Sequence, residues 1–179
     1  MPRLPKEIAF VPALCALAAG AFAAPRTLYP LLNENSRPLA FTLPDTRDNP
    51  VSLDTFLRHK RIVLLALPAG PALQGTEFLR AARLHQAELD DHDLVVLALV
   101  PPQSALSKTF DIPPTHMLQD ADAKIAHAYG GSSGTPAFYL IGKDGGFKME
   151  RRTFPSLREL FGAIDAMPMR REEMRHQAR

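Results

Sequence analysis

The chain has 179 residues, a formal net charge of +2, 46% hydrophobic residues and one cysteine. That length suffices for one domain with its own core. The near-neutral balance gives no support to nucleic acid or an anionic membrane surface as partner. At the start, Arg3 and Lys6 precede an apolar run from Ile8 to Ala24 that contains Ala21-Phe22-Ala23. A positive start, a short apolar core and an Ala-x-Ala site outline a secretory signal peptide. Residues 1–24 are therefore read as a signal, and the mature chain as periplasmic or secreted. A retained anchor is the competing reading, but Pro12 and Gly20 interrupt a run of marginal spanning length. No stable membrane insertion is expected after cleavage. Cys15 follows the bulky Leu14, where a lipidation signal wants a small residue. Because Cys15 is the only cysteine, cleavage would remove thiol nucleophiles, disulfide exchange and cysteine metal sites together.

Residues 25–37 contain Pro25 and Pro30 without periodicity and read as a linker or extended arm. Pro38 to Asp45 reads as an alternating strand. After a polar turn, Val51-Ser52-Leu53-Asp54 reads as the start of a short helix with Ser52 as N-cap. Ile62 to Leu67 is an unbroken apolar run of the kind buried on both faces of a sheet. The tight turn Pro68-Ala69-Gly70-Pro71-Ala72 follows. Leu73 to Leu89 is then helical, with Phe78, Leu79, Ala82, Leu84 and Leu89 recurring at three- and four-residue steps. A central strand running straight into a helix N-terminus is where α/β proteins usually place their chemistry. Asp90-Asp91-His92-Asp93 could hold a divalent ion, but no further ligands recur at useful spacing, and a solvated loop is the better reading. Leu94 to Val100 is a second buried strand, completing a βαβ unit with parallel strands.

Ser104 to Phe110 reads as a short helix and Ile112-Pro113-Pro114 as a loop. Met117 to Gly130 reads as an acidic turn and helix, with Asp120 and Asp122 at its start and Gly130 as C-cap. Gly130-Gly131-Ser132-Ser133-Gly134 lacks the Lys-Ser/Thr of a phosphate loop and enters a strand, so it reads as a flexible approach to Pro136. Ala137–Ile141 and Gly146–Arg151, joined by Gly142-Lys143-Asp144-Gly145, predict an antiparallel hairpin. Ser156-Leu157-Arg158-Glu159 has the capping-box pattern and opens a helix whose Leu157, Leu160, Phe161 and Ile164 should pack on the sheet. Residues 167–179 form a charged tail, read as a frayed helix or as a docking segment in which methionines make adaptable contacts.

Two landmarks carry a resemblance. Pro68 to Ala72 resembles the Trp-Cys-Gly-Pro-Cys turn of the thioredoxin superfamily, with Ala69 and Ala72 at the cysteine positions. Thr135-Pro136 resembles the Thr-Pro dipeptide that opens a strand in those proteins, where the proline is cis. Residues 38–57 look like the peroxiredoxin and cytochrome-maturation branches, and residues 117–130 resemble peroxiredoxin-like relatives. The ending, from Tyr139 to Arg171, resembles a small bacterial family known only as a domain of unknown function. The resemblance implies an α/β, thioredoxin-like fold over residues 38–166: a central mixed β-sheet flanked by helices, with a C-terminal β-hairpin and helix. It also implies a cis Pro136, and it implies no activity.

Ala69 and Ala72 can neither attack nor resolve a disulfide, and the Thr76 alcohol without a positioned base is a poor nucleophile. The six histidines form no recognisable motif. No catalytic residue, cofactor or metal ligand is assigned. The candidate site is a binding groove formed by Ala69, Gly70, Pro71 and Ala72 with Thr135 and Pro136. An extended peptide or protein segment could pair there with the free backbone of Thr135. A glutathione-type ligand would use the same backbone groups and the helix N-terminus. The alternative is a thiol-independent enzyme, oxidoreductase- or peroxidase-like, whose cofactor or metal ligands are not visible in the sequence.

Overall fold

Strand β3 (Arg61–Ala66) is buried at every position, its apolar residues from Ile62 as the run requires and Arg61 with them. The computed structural model describes residues 37–67, 73–102, 104–131 and 134–177. The signal segment, most of the linker, and Pro68, Ala69, Gly70, Pro71 and Ala72 lie outside the described residues. On one side β3 pairs in parallel with β4 (Leu94–Val100), which pairs in parallel with β5 (Thr115–Gln119). On the other side it pairs antiparallel with β6 (Ala137–Ile141), and β6 pairs antiparallel with β7 (Phe147–Arg151). The sheet order is thus β5-β4-β3-β6-β7, a mixed sheet of five strands.

Alternation along the central strands divides the interior into two layers. Val63, Leu65 and Leu67 face α1 (Leu73–Leu84), α3 (Ala105–Phe110) and α5 (Leu157–Asp165), meeting Phe78, Leu79, Phe110, Leu160 and Ile164. Ile62, Leu64 and Ala66 face the opposite way, toward Phe41, Leu53, Tyr129 and Ala126 of α4 (Lys124–Ala128). Each fully buried aliphatic or aromatic side chain contributes about 1.5–3 kcal/mol to this sandwich. The second layer is closed by tyrosine hydroxyls: Tyr139 donates to the Tyr129 carbonyl at 2.5 Å, and Tyr129 donates to the Leu39 carbonyl at 2.8 Å. Burial pushes the Tyr129 phenol well above its ordinary value despite that hydrogen bond.

Several expectations need correction. Val51 and Ser52 belong to strand β2 (Pro50–Ser52), paired antiparallel with β1 (Thr42–Pro44), so the short helix begins only at Leu53. The Asp45 carboxylate accepts from the backbone N–H groups of Arg47 and Asn49, building the turn that folds β1 onto β2. Ser52 precedes a single 3-10 turn, Leu53–Thr55, but gives no side-chain cap; its hydroxyl points back to the Phe41 carbonyl. The helix expected over Leu73–Leu89 is two segments, α1 and α2 (Gln86–Asp91). His85 at φ −115°, ψ 38° breaks it, so Leu89 is buried while Leu84 stands 77% exposed. Thr115–Gln119 is a strand, because pairing with β4 supplies the backbone partners that its mixed polarity does not advertise. Asp120 lies outside α4 but still serves its N-terminus, accepting from the Ala126 N–H at 2.7 Å.

Other readings hold. Gly130 takes φ +73° just beyond α4, the left-handed cap conformation. The turn at Gly142–Gly145 joins β6 to β7. The Ser156 hydroxyl accepts from the Glu159 N–H at 3.1 Å at the start of α5. The tail differs from a frayed end: Pro168–Gln177 is a helix, α6, whose Arg170 is buried.

Candidate functional site

The C-terminal end of β3 and the N-terminal end of β6 lie side by side, because Ala66 pairs with Ala137. Leu67 continues the strand's path, donating its N–H to the Leu99 carbonyl at 3.1 Å, and is buried. The chain is described again from Leu73, the first residue of α1. The helix that begins there is anchored by Phe78, Leu79 and Ala82. Of the candidate groove residues, Thr135 is exposed and Pro136 half-buried at the mouth of β6. The expected cis bond at Pro136 is not found; the cis peptide among the described residues is Pro113–Pro114. The chain turns into β6 at Gly134 instead, which adopts φ +85°. The Thr135 backbone is not wholly free either, for it already makes one isolated β-bridge.

Nor is the approach to this site loose at its start. Gly131 is buried so closely that a β-carbon there would lie 2.9 Å from that of Ala66 and 3.0 Å from the Ala126 carbonyl oxygen. The carbonyl of Gly130 accepts from the Arg152 guanidinium at 2.6 Å. On the α1 side, Phe78, Phe138 and Phe154 form an aromatic cluster with centroid separations of 5.7–6.4 Å. A shallow cleft of about 400 Å³ opens over it, between α1 and the start of α5.

The opposite end of β3, roughly 17 Å away at about 3.3 Å per residue, holds a cluster that the sequence did not reveal. Arg61, 1% exposed, donates to the His92 carbonyl at 2.8 Å and to both oxygens of Glu173 at 3.1 Å. Lys143 bridges Glu173 and Asp93, each at 2.7 Å, and Lys60 reaches Asp93 at 3.1 Å. Arg170 donates to the carbonyl and carboxylate of Asp91 and lies 3.4 Å from Asp165. His92 stacks on Phe161 at 4.5 Å, with its ring nitrogens facing the Glu88 carbonyl at 2.6 Å and Asp165 at 3.2 Å. Asp90-Asp91-His92-Asp93 is therefore neither an ion-binding loop nor a merely solvated one. Asp91 and His92 reach α6 and α5 through Arg170 and Asp165, and Asp93 pairs with Lys60 and Lys143. The available signals were an arginine opening a buried strand and carboxylates dispersed along the tail, and neither reveals its partner without the fold.

Electrostatics follow this geometry. Burial raises the Glu173 carboxyl, but the hydrogen bond from Lys143 and the charge of Arg61 outweigh it and hold the group below its ordinary value. Asp93 is also raised by burial and lowered further by Lys143 and Lys60. Lys143 is lowered by burial yet held above its ordinary value by Asp93 and Glu173. Among the described residues no group of three or more His, Cys, Asp or Glu side chains could hold a metal ion. Among them, too, no helix is long and apolar enough to cross a membrane.

Solved structures resemble this architecture at low sequence identity. The pneumococcal exposed lipoprotein thioredoxin Etrx1 of Streptococcus pneumoniae matches with TM-score 0.57 and 20% identity, over 72% of this chain and 100% of that one. Peroxidoxin BcpB of Mycobacterium tuberculosis matches with TM-score 0.60 and 19% identity, over 73% and 95%. The reduced 2-Cys peroxiredoxin of Plasmodium vivax matches with TM-score 0.61 and 17% identity, over 76% and 97%. These likenesses establish a thioredoxin-like fold and carry no activity with them. Comparison with curated protein sequences returns no match. The family defined by a domain of unknown function, DUF4174, matches residues 52–173, from β2 into α6, and the chain belongs to that family.

Proposed function

We propose that this protein is an exported, redox-inactive binding module. It receives an extended peptide or protein segment in the groove between the Gly70-Pro71 turn, flanked by Ala69 and Ala72, and Thr135-Pro136. The observation that supports it most is the Ala66–Ala137 pairing, which sets the end of β3 beside an exposed Thr135. Backbone pairing there needs no side-chain chemistry, and the only cysteine, Cys15, lies in the signal-like segment.

The test is an amide NMR titration of the mature chain with an unstructured, cysteine-free peptide, beside assays for disulfide reduction and peroxide consumption. The expected result is shifts at Thr135, Ala137 and the first turn of α1, with no turnover in either assay. Shifts confined to other surfaces, or none, would remove the groove from consideration. Turnover without a cysteine would replace the binding module by an enzyme.

A further inference from the structure

We infer that α6 is an ion-held clasp that opens as a unit while the sheet domain stays folded, and that acid opens it. The helix has little apolar purchase. Its buried residue is Arg170, whereas α5 buries Leu157, Leu160 and Ile164. Met169 on α6 is 48% exposed. Only Ala166 and Met167 join α6 to α5, so the hinge is short and the moving part well defined.

Two residues hold α6: Arg170, bonded to Asp91 and facing Asp165, and Glu173, a carboxylate set among cations. Glu173 faces Arg61 of β3, Lys143 of the β6–β7 turn, and Arg170 of its own helix at 3.7 Å. Around them, Lys143 is shared with Asp93, which Lys60 also contacts, and Arg170 is shared with Asp91 and Asp165, the latter also facing His92. Four cations thus meet four carboxylates. Among the described residues the Arg61 Nε is buried with no hydrogen-bond partner. Burying a guanidinium with an unsatisfied N–H opposes the ion pairing that requires it. An element held by ion pairs with little apolar burial is the kind that opens locally below global unfolding. Opening removes Arg170 with the helix and bares Arg61, Lys143 and Lys60 against Asp93.

The direction with pH follows from the carboxylates. Glu173 sits below its ordinary value in the docked state, whereas Asp93 keeps Lys60 and Lys143 when α6 leaves. The Glu173 contribution is present above the ordinary carboxylate range and is lost as pH falls through the shifted value.

Hydrogen exchange read by mass spectrometry on the full chain tests this, with rates corrected for the intrinsic pH dependence. Glu173→Gln should raise exchange of the α6 amides tenfold or more at neutral pH and leave the β3 and β4 amides unchanged. Glu172→Gln, at an exposed neighbour, should change neither. Wild-type protein taken below the ordinary carboxylate range should show the same separation, which keeps the test decisive if the Gln variant does not fold. Equal acceleration in α6 and the central strands would make α6 part of one cooperative unit and overturn the clasp. An α6 that exchanges at its neutral wild-type rate in both arms would show that these ion pairs do not hold it.

Discussion

Gly131 shows how much one hydrogen atom decides near the candidate groove. Its missing side chain lets the segment leaving α4 touch Ala66 at the end of β3 and the Ala126 carbonyl. Gly131→Ala must push backbone or a core methyl aside, and no flexible side-chain tip stands there to yield. Overpacking of this kind costs about 1–3 kcal/mol, and melting curves should show a drop on the order of 2–10 °C for a chain this size. The same variant should perturb the Thr135 amide, since the displaced segment leads to it. An unchanged melt would mean that the strand and the loop are less tightly joined than their spacing implies. Glycine here serves close approach, while at Gly130 it serves a left-handed turn, and the two needs sit side by side in the sequence.

At the level of elements, α5 illustrates local and tertiary instructions that agree. Its apolar residues share one face, and its first turn is capped by Ser156 accepting from Glu159. Ser156→Ala should lower stability by about 1 kcal/mol, and Ser156→Asp should recover most of it. Chemical denaturation of the three proteins checks this; equal midpoints would show that packing of Leu157, Leu160 and Ile164 alone sets the helix start. α1 and α2 illustrate the opposite case. An apolar period running through Leu84 to Leu89 is legible as one helix, yet the backbone of His85 leaves the helical region and the chain resumes as α2. Similarly, β5 and β2 have neither a run of apolar residues nor strong alternation. They become strands because a partner strand lies alongside.

Across the whole molecule, two poles lie at the two ends of β3. One carries the proposed binding groove; the other carries the ion cluster beneath α6. Asp93, Asp144 and Glu173 are each raised by burial and lowered more by their lysine and arginine partners, so each lies below its ordinary 3.8 or 4.5. A depressed carboxyl stabilises the folded state above its unfolded value and loses that contribution as pH falls through its folded value. Thermal stability should therefore be level between about pH 7 and 5 and decline below about pH 4. Calorimetry across that range measures it, and a melting temperature that rises on acidification would contradict the assignment of these pairs.

The sequence by itself determined the fold family, the two central strands, the β6–β7 hairpin, the capped α5 and the confinement of cysteine to position 15. Each of these is written in neighbouring residues: apolar runs, a Gly-Lys-Asp-Gly turn, a Ser-x-x-Glu cap. Only the tertiary structure decided that Thr135-Pro136 lies against the end of β3 without a cis bond, and that Arg61, His92, Lys143, Arg170 and Glu173 meet. Those five residues are separated by up to 112 positions along the chain. A charged side chain reads as solvated until the fold supplies its partner, because the pairing energy depends on distance in space and leaves no periodicity in the sequence.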